Sequence, residues 1–166
     1  MTRQKLLIVA GITLAALLFV RVSYIQILRN FLKTWEGFSS RPYWDVKQWS
    51  WGHGTRVPGS IADPTKNPGG RITRAEAMNE LVRHTNNDYL NLRPDVTATL
   101  SPNQWAAFLS FSYNLGPGNA RNLLPNINTG NIKALREQWA EYIYANRVVN
   151  EYQVKRRAAE WELFMT

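Results

Sequence analysis

The 166-residue chain contains no cysteine, which excludes disulfide frameworks, thiolate-bound zinc, thiol nucleophiles and dithiol redox motifs. Histidine is nearly as scarce: His53 and His84 lie too far apart for a short paired-ligand motif and would need several carboxylates to complete a metal site. We expect neither a metal nor a cofactor. Acidic residues are also few, 12 against 20 Lys and Arg, so the formal charge is +8. A basic surface of that size attracts a polyanion, whether nucleic acid, anionic lipid or an acidic cell-wall polymer. The Lys and Arg of residues 29–157 are scattered and form no recognised nucleic-acid motif, so a nucleic-acid partner is not expected. No internal repeat is visible, and nothing suggests more than a monomer. What is abundant is apolar surface: 45% hydrophobic residues, 12% aromatic, seven of them Trp. That suffices for one buried core and is far too apolar for a disordered chain.

Charge and hydrophobicity divide the chain. Residues 1–23 hold Arg3, Lys5 and Arg21 without an acid, and Leu6–Val20 is an unbroken non-ionic run. A bilayer core needs about 20 helical residues, so this run is short for a span unless Arg21 snorkels. A basic start followed by an apolar run also fits a secretory signal, yet no Ala-x-Ala cleavage site follows Val20. Residues 1–23 therefore read as a weak signal anchor that inserts residues 6–20 in a membrane, with a cleaved signal and a plain hydrophobic helix of a soluble protein as the alternatives, and residues 24–166 read as the body. Ala10, Gly11, Thr13, Ala15 and Ala16 dilute the segment's hydrophobicity, so it would hold the membrane loosely.

In the body, Ile27, Leu28, Phe31, Leu32 and Trp35 fall at helical spacing, closed by Glu36-Gly37. Phe38 to Val57 changes to aromatic and β-branched residues among Gly, Ser and Pro, which predicts short strands in tight turns, the only convincing β region. Residues 58–70 read as a loop long enough to be mobile or functional. Thr73-x-x-Glu76 is a capping box that starts a helix reaching about Leu90, and Ser101-Pro102-x-Gln104 starts another. Residues 105–115 are apolar almost all round, which predicts a central helix ended by Gly116-Pro117-Gly118. Further helices are expected at 120–124, 132–145 and 152–164. Trp105, Phe108, Phe111, Trp139 and Trp161 read as core. The predicted class is α+β, mostly helical, with a small antiparallel β region near the N-terminal end of the body and an N-terminal hydrophobic helix.

Glu36 stands where a helix stops, and Asp45 follows inside the β segment, flanked by Tyr43, Trp44 and Trp49. Glycoside hydrolysis needs one carboxylic acid to protonate the leaving oxygen and a second carboxylate for water or for nucleophilic attack, and aromatic rings stack on sugars. The same two residues also read as a helix-terminal Glu and a turn Asp. His53 reads as a cleft residue or a cap for backbone groups. Asn114, near the end of the central helix, is a further cleft candidate. Arg156 and Arg157 read as salt-bridging or as a solvated face.

Trp-Glu-Gly-Phe (35–38), Pro-Tyr-x-Asp (42–45) and Trp-Ser-Trp-Gly-His-Gly-Thr (49–55) together resemble the active-site segment of phage-type lysozymes, glycoside hydrolase family 24. Residues 100–116 are similar to that family's central helix and residues 155–164 to its C-terminal segment, so the likeness spans about residues 27–166. The resemblance implies a lysozyme-like fold and a muramidase that hydrolyses the β-1,4 bond between N-acetylmuramic acid and N-acetylglucosamine in peptidoglycan. It makes Glu36 the general acid and Asp45 the residue that orients or activates water. The family usually carries Thr six residues after the Asp; here position 51 is Trp, and a turn one residue shorter assigns that role to Ser50. Tyr43, Trp49, His53 and Asn114 are the substrate-binding candidates. With the anchor, the chain resembles signal-anchor-release endolysins. That implies synthesis in the infected cytoplasm, passage through the host secretion machinery, a membrane-held state facing the periplasm, and release for host lysis. The rival readings are a lytic transglycosylase, which leaves an anhydro sugar, and a non-catalytic membrane-anchored wall-binding protein.

Overall fold

A computed structural model of the chain describes residues 24–145 and 147–166. The predicted membrane segment of residues 6–20, and the 1–23 anchor containing it, lie outside the described residues. Among those described, no helix is long and apolar enough to cross a membrane.

Helix α1 is described over residues 24–35. Tyr24, Leu28 and Leu32, one helical turn apart, are all buried in the core, as the apolar spacing requires. A three-stranded antiparallel sheet follows, β1 (Ser39–Asp45), β2 (Gln48–Gly52) and β3 (Thr55–Arg56), in the order β1-β2-β3. Its register pairs Tyr43 with Ser50, Trp44 with Trp49 and Asp45 with Gln48. The tight β1–β2 turn forces Val46, a β-branched residue, to φ +50°, a strained conformation directly beside Asp45. Residues 57–73 contain no helix or strand, but they are tied down. Trp49 Nε1 donates to Asp63 O at 2.8 Å, Arg56 Nη2 to Ser60 O at 2.8 Å, and the Ile72 amide to Ser40 O at 3.0 Å.

The helical lobe comprises α2 (Arg74–Leu92), α3 (Pro102–Leu115), α4 (Pro117–Thr129), α5 (Ile132–Ala140) and α6 (Glu151–Met165). Both predicted capping boxes form, at Thr73 with Glu76 and at Ser101 with Gln104. Helix α3 is buried continuously from Trp105 to Ser112, so it is the axis on which the other helices pack. Burying each of Phe108, Leu109 and Phe111 contributes about 1.5–3 kcal/mol relative to exposure. Its two buried hydroxyls are satisfied by acids from neighbouring helices: Ser112 Oγ donates to Asp88 Oδ2 of α2, and Ser110 Oγ to Glu160 Oε1 of α6, both at 2.7 Å. The expected core aromatics gather here, with Phe111 edge-on to Trp139 at 5.0 Å and Trp161 stacked on Phe164 at 5.8 Å.

Two sequence expectations are corrected. The helix expected over 120–124 runs from Pro117 to Thr129 and carries Pro125 inside it; Pro117 supplies a ready first helical position, and Pro125 does not stop the helix. The helix expected over 132–145 ends at Ala140, and a second small sheet follows, β4 (Tyr144–Ala145) paired with β5 (Val148–Val149). Paired valines prefer a pleated strand, and Arg147 between the strands takes φ +66°. The β region of residues 38–57 is thus not the only one.

The first sheet is fastened to α2 at close range. Gly52 has φ +59°, and a Cβ there would lie 2.8 Å from Ala77 Cβ, while Glu80 of α2 accepts from Trp51 Nε1 at 3.1 Å and from Thr55 Oγ1 at 2.7 Å. Gly52→Ala therefore combines a clash with a left-handed backbone. We expect a loss of about 2–4 kcal/mol, measured as a shift in the urea unfolding midpoint.

Candidate active site

The amide of Glu36 donates to Leu32 O at 2.8 Å, so Glu36 prolongs the last turn of α1 and points from its end. Across from it, Asp45 is exposed at the end of β1. Both border one open cavity of about 420 Å³, with Tyr43, Gln48, Thr55 and Arg56 from the sheet and His84, Tyr113 and Asn114 from the helices. The predicted carboxylate pair therefore shares a cleft between the sheet and the helical lobe.

Glu36 is fixed from the helical side. Arg156 Nη2 lies 2.7 Å from Glu36 Oε1, with the Arg156 side chain 1% exposed and that of Glu36 17%. Arg156 is in turn held by Glu160, one turn further along α6, at 3.2 Å. Glu160, wholly buried, also lies 2.9 Å from Arg157 Nε, accepts from Ser110 at 2.7 Å, and accepts from Trp139 Nε1 at 3.3 Å. Burial pushes the Glu160 carboxyl above the ordinary carboxylate range, against the pull of Arg157 and then Arg156. Burial alone would lower the Arg156 guanidinium, but Glu36 and Glu160 more than offset it and leave it raised. Burial draws Arg157 down to about 10, which leaves it charged at neutral pH. The reading of Arg156 and Arg157 as salt-bridging holds, and that of a solvated face does not, because both are buried. Arg157 Nη2 also donates to Asn114 Oδ1 at 3.0 Å, which orients Asn114 in the cleft.

The same helix grips the chain next to Glu36. The Tyr152 hydroxyl donates to the Trp35 carbonyl, and the two rings meet edge-on at 5.5 Å. Tyr152 and Arg156, one turn apart on α6, thus hold the backbone before Glu36 and the carboxylate itself.

His53 fills both roles open to it. It borders the cleft, and its Nδ1 lies 2.8 Å from Gly37 O; a carbonyl can only accept, so Nδ1 carries the proton. The His53 carbonyl accepts from the Tyr113 hydroxyl at 2.7 Å. Burial, then Glu36, raise the Tyr113 phenol, and burial, then Asp45 and Glu36, raise that of Tyr43. Both therefore stay hydroxyl donors beside the two carboxylates.

Two of the candidates sit differently. Ser50 is 0% exposed and does not border the cavity; its Oγ accepts from Gln48 Nε2 at 3.1 Å, so it reaches the cleft only through Gln48. Trp49 is buried on the opposite face of β2, edge-on to Trp44 at 5.6 Å, and offers no ring to the cleft. Gln48, Thr55, Arg56, His84 and Tyr113 border the cleft without having been singled out from sequence. The alternation of β2 places Gln48 on the same face as Ser50, but nothing local marks His84 or Tyr113, which come from distant helices. Among the described residues no group of His, Asp and Glu side chains is arranged to hold a metal ion.

The phage lysozyme family model matches residues 33–160. The chain belongs to that family, and it is a glycoside hydrolase, a lysozyme acting on peptidoglycan. Its fold is similar to the muramidase domain of SpmX from Asticaccaulis excentricus, with TM-score 0.73 and 22% identity over 84% of this chain and 95% of that one. It is also similar to an endolysin from Escherichia coli O157:H7 phage FAHEc1, with TM-score 0.68 and 19% identity over 86% and 90%. A mutant P22 lysozyme gives TM-score 0.68 and 23% identity over 84% and 95%. A search of curated protein sequences finds no match.

Because Glu160 stands between two buried guanidiniums, Glu160→Gln leaves uncompensated charge in the core. The expected loss is about 3–5 kcal/mol in urea unfolding, many times the effect of removing an exposed pair such as Arg121 with Asp95.

Proposed function

We propose that the chain is an endolysin that hydrolyses the β-1,4 bond between N-acetylmuramic acid and N-acetylglucosamine for lysis of the host cell. The observation that carries this reading is the convergence of Glu36 and Asp45 on one open cleft, with Glu36 held by a buried arginine. Glu36, in its protonated form, gives its proton to the glycosidic oxygen as the bond to the muramic acid anomeric carbon breaks. Positive charge spreads over that carbon and the ring oxygen. Asp45 orients water at the anomeric carbon and takes its proton, and the product has a reducing muramic acid end. Gln48, steadied by Ser50, lies beside Asp45 in the register and helps to position the water. Tyr43, His53 and Asn114 contact the sugars.

The test is digestion of purified peptidoglycan by the full chain, wild type beside Glu36→Gln and Asp45→Asn, with mass analysis of the fragments. Reducing muramic acid ends are expected from wild type, none from Glu36→Gln, and a fall of about 10²–10⁴ in rate from Asp45→Asn. Anhydro ends would instead identify a lytic transglycosylase, and no fragments a wall-binding protein.

The second part of the proposal concerns delivery. The chain is made in the infected cytoplasm, carried by the host secretion machinery, held in the inner membrane by residues 6–20, and released to the periplasm as an active monomer. What supports this is the continuity of α1, which is described from residue 24 and ends against Glu36, a rise of about 18 Å at 1.5 Å per residue. Tyr24, Leu28 and Leu32 must dock in the core for Glu36 to meet Arg156, so a tethered start to this helix competes with a finished site. The released form is expected to be lytic and the membrane-held form inactive; equal activity of the two fractions would reject the delivery scheme.

A further inference from the structure

A second cavity, of about 570 Å³, opens on the other side of Glu36, and three cations border it: Arg29, Lys33 and Arg74. Arg29 and Lys33 stand four residues apart on α1, on the face that leads to Glu36. Arg74 opens α2 and lies with its guanidinium carbon 4.3 Å above the Phe38 ring, an arrangement that steers a planar cation without neutralising it. Among the described residues no carboxylate forms an ion pair with any of the three, and the only acid bordering the cavity is Glu36, whose carboxylate is paired with Arg156. Arg29 Nε is buried there without a hydrogen-bond partner. A smaller cavity of about 260 Å³, bordered by Glu36, Phe38, Tyr43 and His53, shares residues with both this space and the cleft. One groove therefore passes Glu36, with Asp45 toward one end and three unneutralised cations at the other.

We propose that the basic end is a subsite for the carboxylates of the peptidoglycan stem peptide. This rests on the muramidase reading. The muramic acid whose bond is cut bears the stem peptide, so the peptide leaves the cleft close to Glu36, where the second cavity begins. On a peptide-bearing strand the lactyl carboxyl is already an amide, which leaves the acidic side chains and C-terminus of the stem as the anions within reach. Three cations bordering one cavity and left without an acid partner attract such carboxylates together, by charge-assisted contacts that salt can screen.

The experiment compares two substrates with the same glycan, one with free stem carboxylates and one with those carboxylates amidated, each digested by the full chain and by the Lys33→Gln/Arg74→Gln double variant. Both residues are exposed, and a thermal melt checks that the double variant folds; each single variant is measured as well. Wild type is expected to favour the free-carboxylate strand about tenfold in kcat/KM, mainly through KM, with the preference shrinking as ionic strength rises. The double variant is expected to bring the ratio close to one, and each single variant to lie between. Equal cleavage of the two strands by wild type, or a preference the double variant retains, overturns the subsite while leaving the muramidase reading intact. Cleavage of neither strand by wild type overturns the muramidase reading, and the subsite with it.

Discussion

The helical side of the cleft depends on one buried carboxylate, Glu160. It pairs with both Arg156 and Arg157 inside the protein, where an unpaired guanidinium would cost several kcal/mol, and with Glu36 it balances their two charges; Ser110 and Trp139 also donate to it. With Arg156 held, Glu36 meets a fixed cation rather than a flexible one. With Arg157 held, Asn114 is oriented toward the same space. The ion cluster therefore does little for stability that an apolar core would not do, and it is best understood as a device for position. It turns the rigidity of the α3–α6 packing into a defined place for one carboxylate at the end of another helix.

The two carboxylates of the cleft are held by different means. Glu36 is over-determined: its backbone by the last turn of α1, the preceding carbonyl by Tyr152, and its side chain by Arg156. Asp45 is held by a short strand and a strained turn, with no ion pair among the described residues. That asymmetry suits the proposed chemistry. A proton donor has to meet one oxygen of a bound sugar at a set distance, whereas a residue that activates water needs solvent access and tolerates a small shift of its partner. The sheet bearing Asp45 is not loose, because Glu80 and the close contact at Gly52 clamp it to α2.

Much of this was legible in the sequence, and the reasons are local. Capping boxes at Thr73 and Ser101 fix helix starts whatever the fold, and the unbroken apolar run of residues 105–115 has no other home than the centre. That Glu36 and Asp45 border one cleft was readable because the residues around them form a dense motif. The second sheet was missed because residues 141–149 sit between two amphipathic helices, and a pair of valines is weak evidence for a strand until its partner is known. Trp49 and Ser50 could not be assigned from sequence because a short hairpin puts alternate residues on opposite faces, and which face meets the cleft is decided by α2 far along the chain. The ionic cluster was visible only as the spacing of Arg156, Arg157 and Glu160. Burial, which changes its meaning from a solvated face to a positioning device, is a tertiary property.

The charge on the molecule acquires a local meaning from this geometry. A net charge of +8 speaks only of attraction to a polyanion, and distributed over the whole surface it would be screened within about 8–10 Å at physiological salt. Two of the most buried cations, Arg156 and Arg157, contribute nothing to that attraction because Glu36 and Glu160 neutralise them. The cations left to act on a substrate are those without an acid beside them, and three of these border the basic end of the groove that passes Glu36. A basic protein acting on an acidic wall thus separates two uses of arginine: inside, paired and fixed, to position a carboxylate; outside, unpaired and beside an aromatic ring, to receive one.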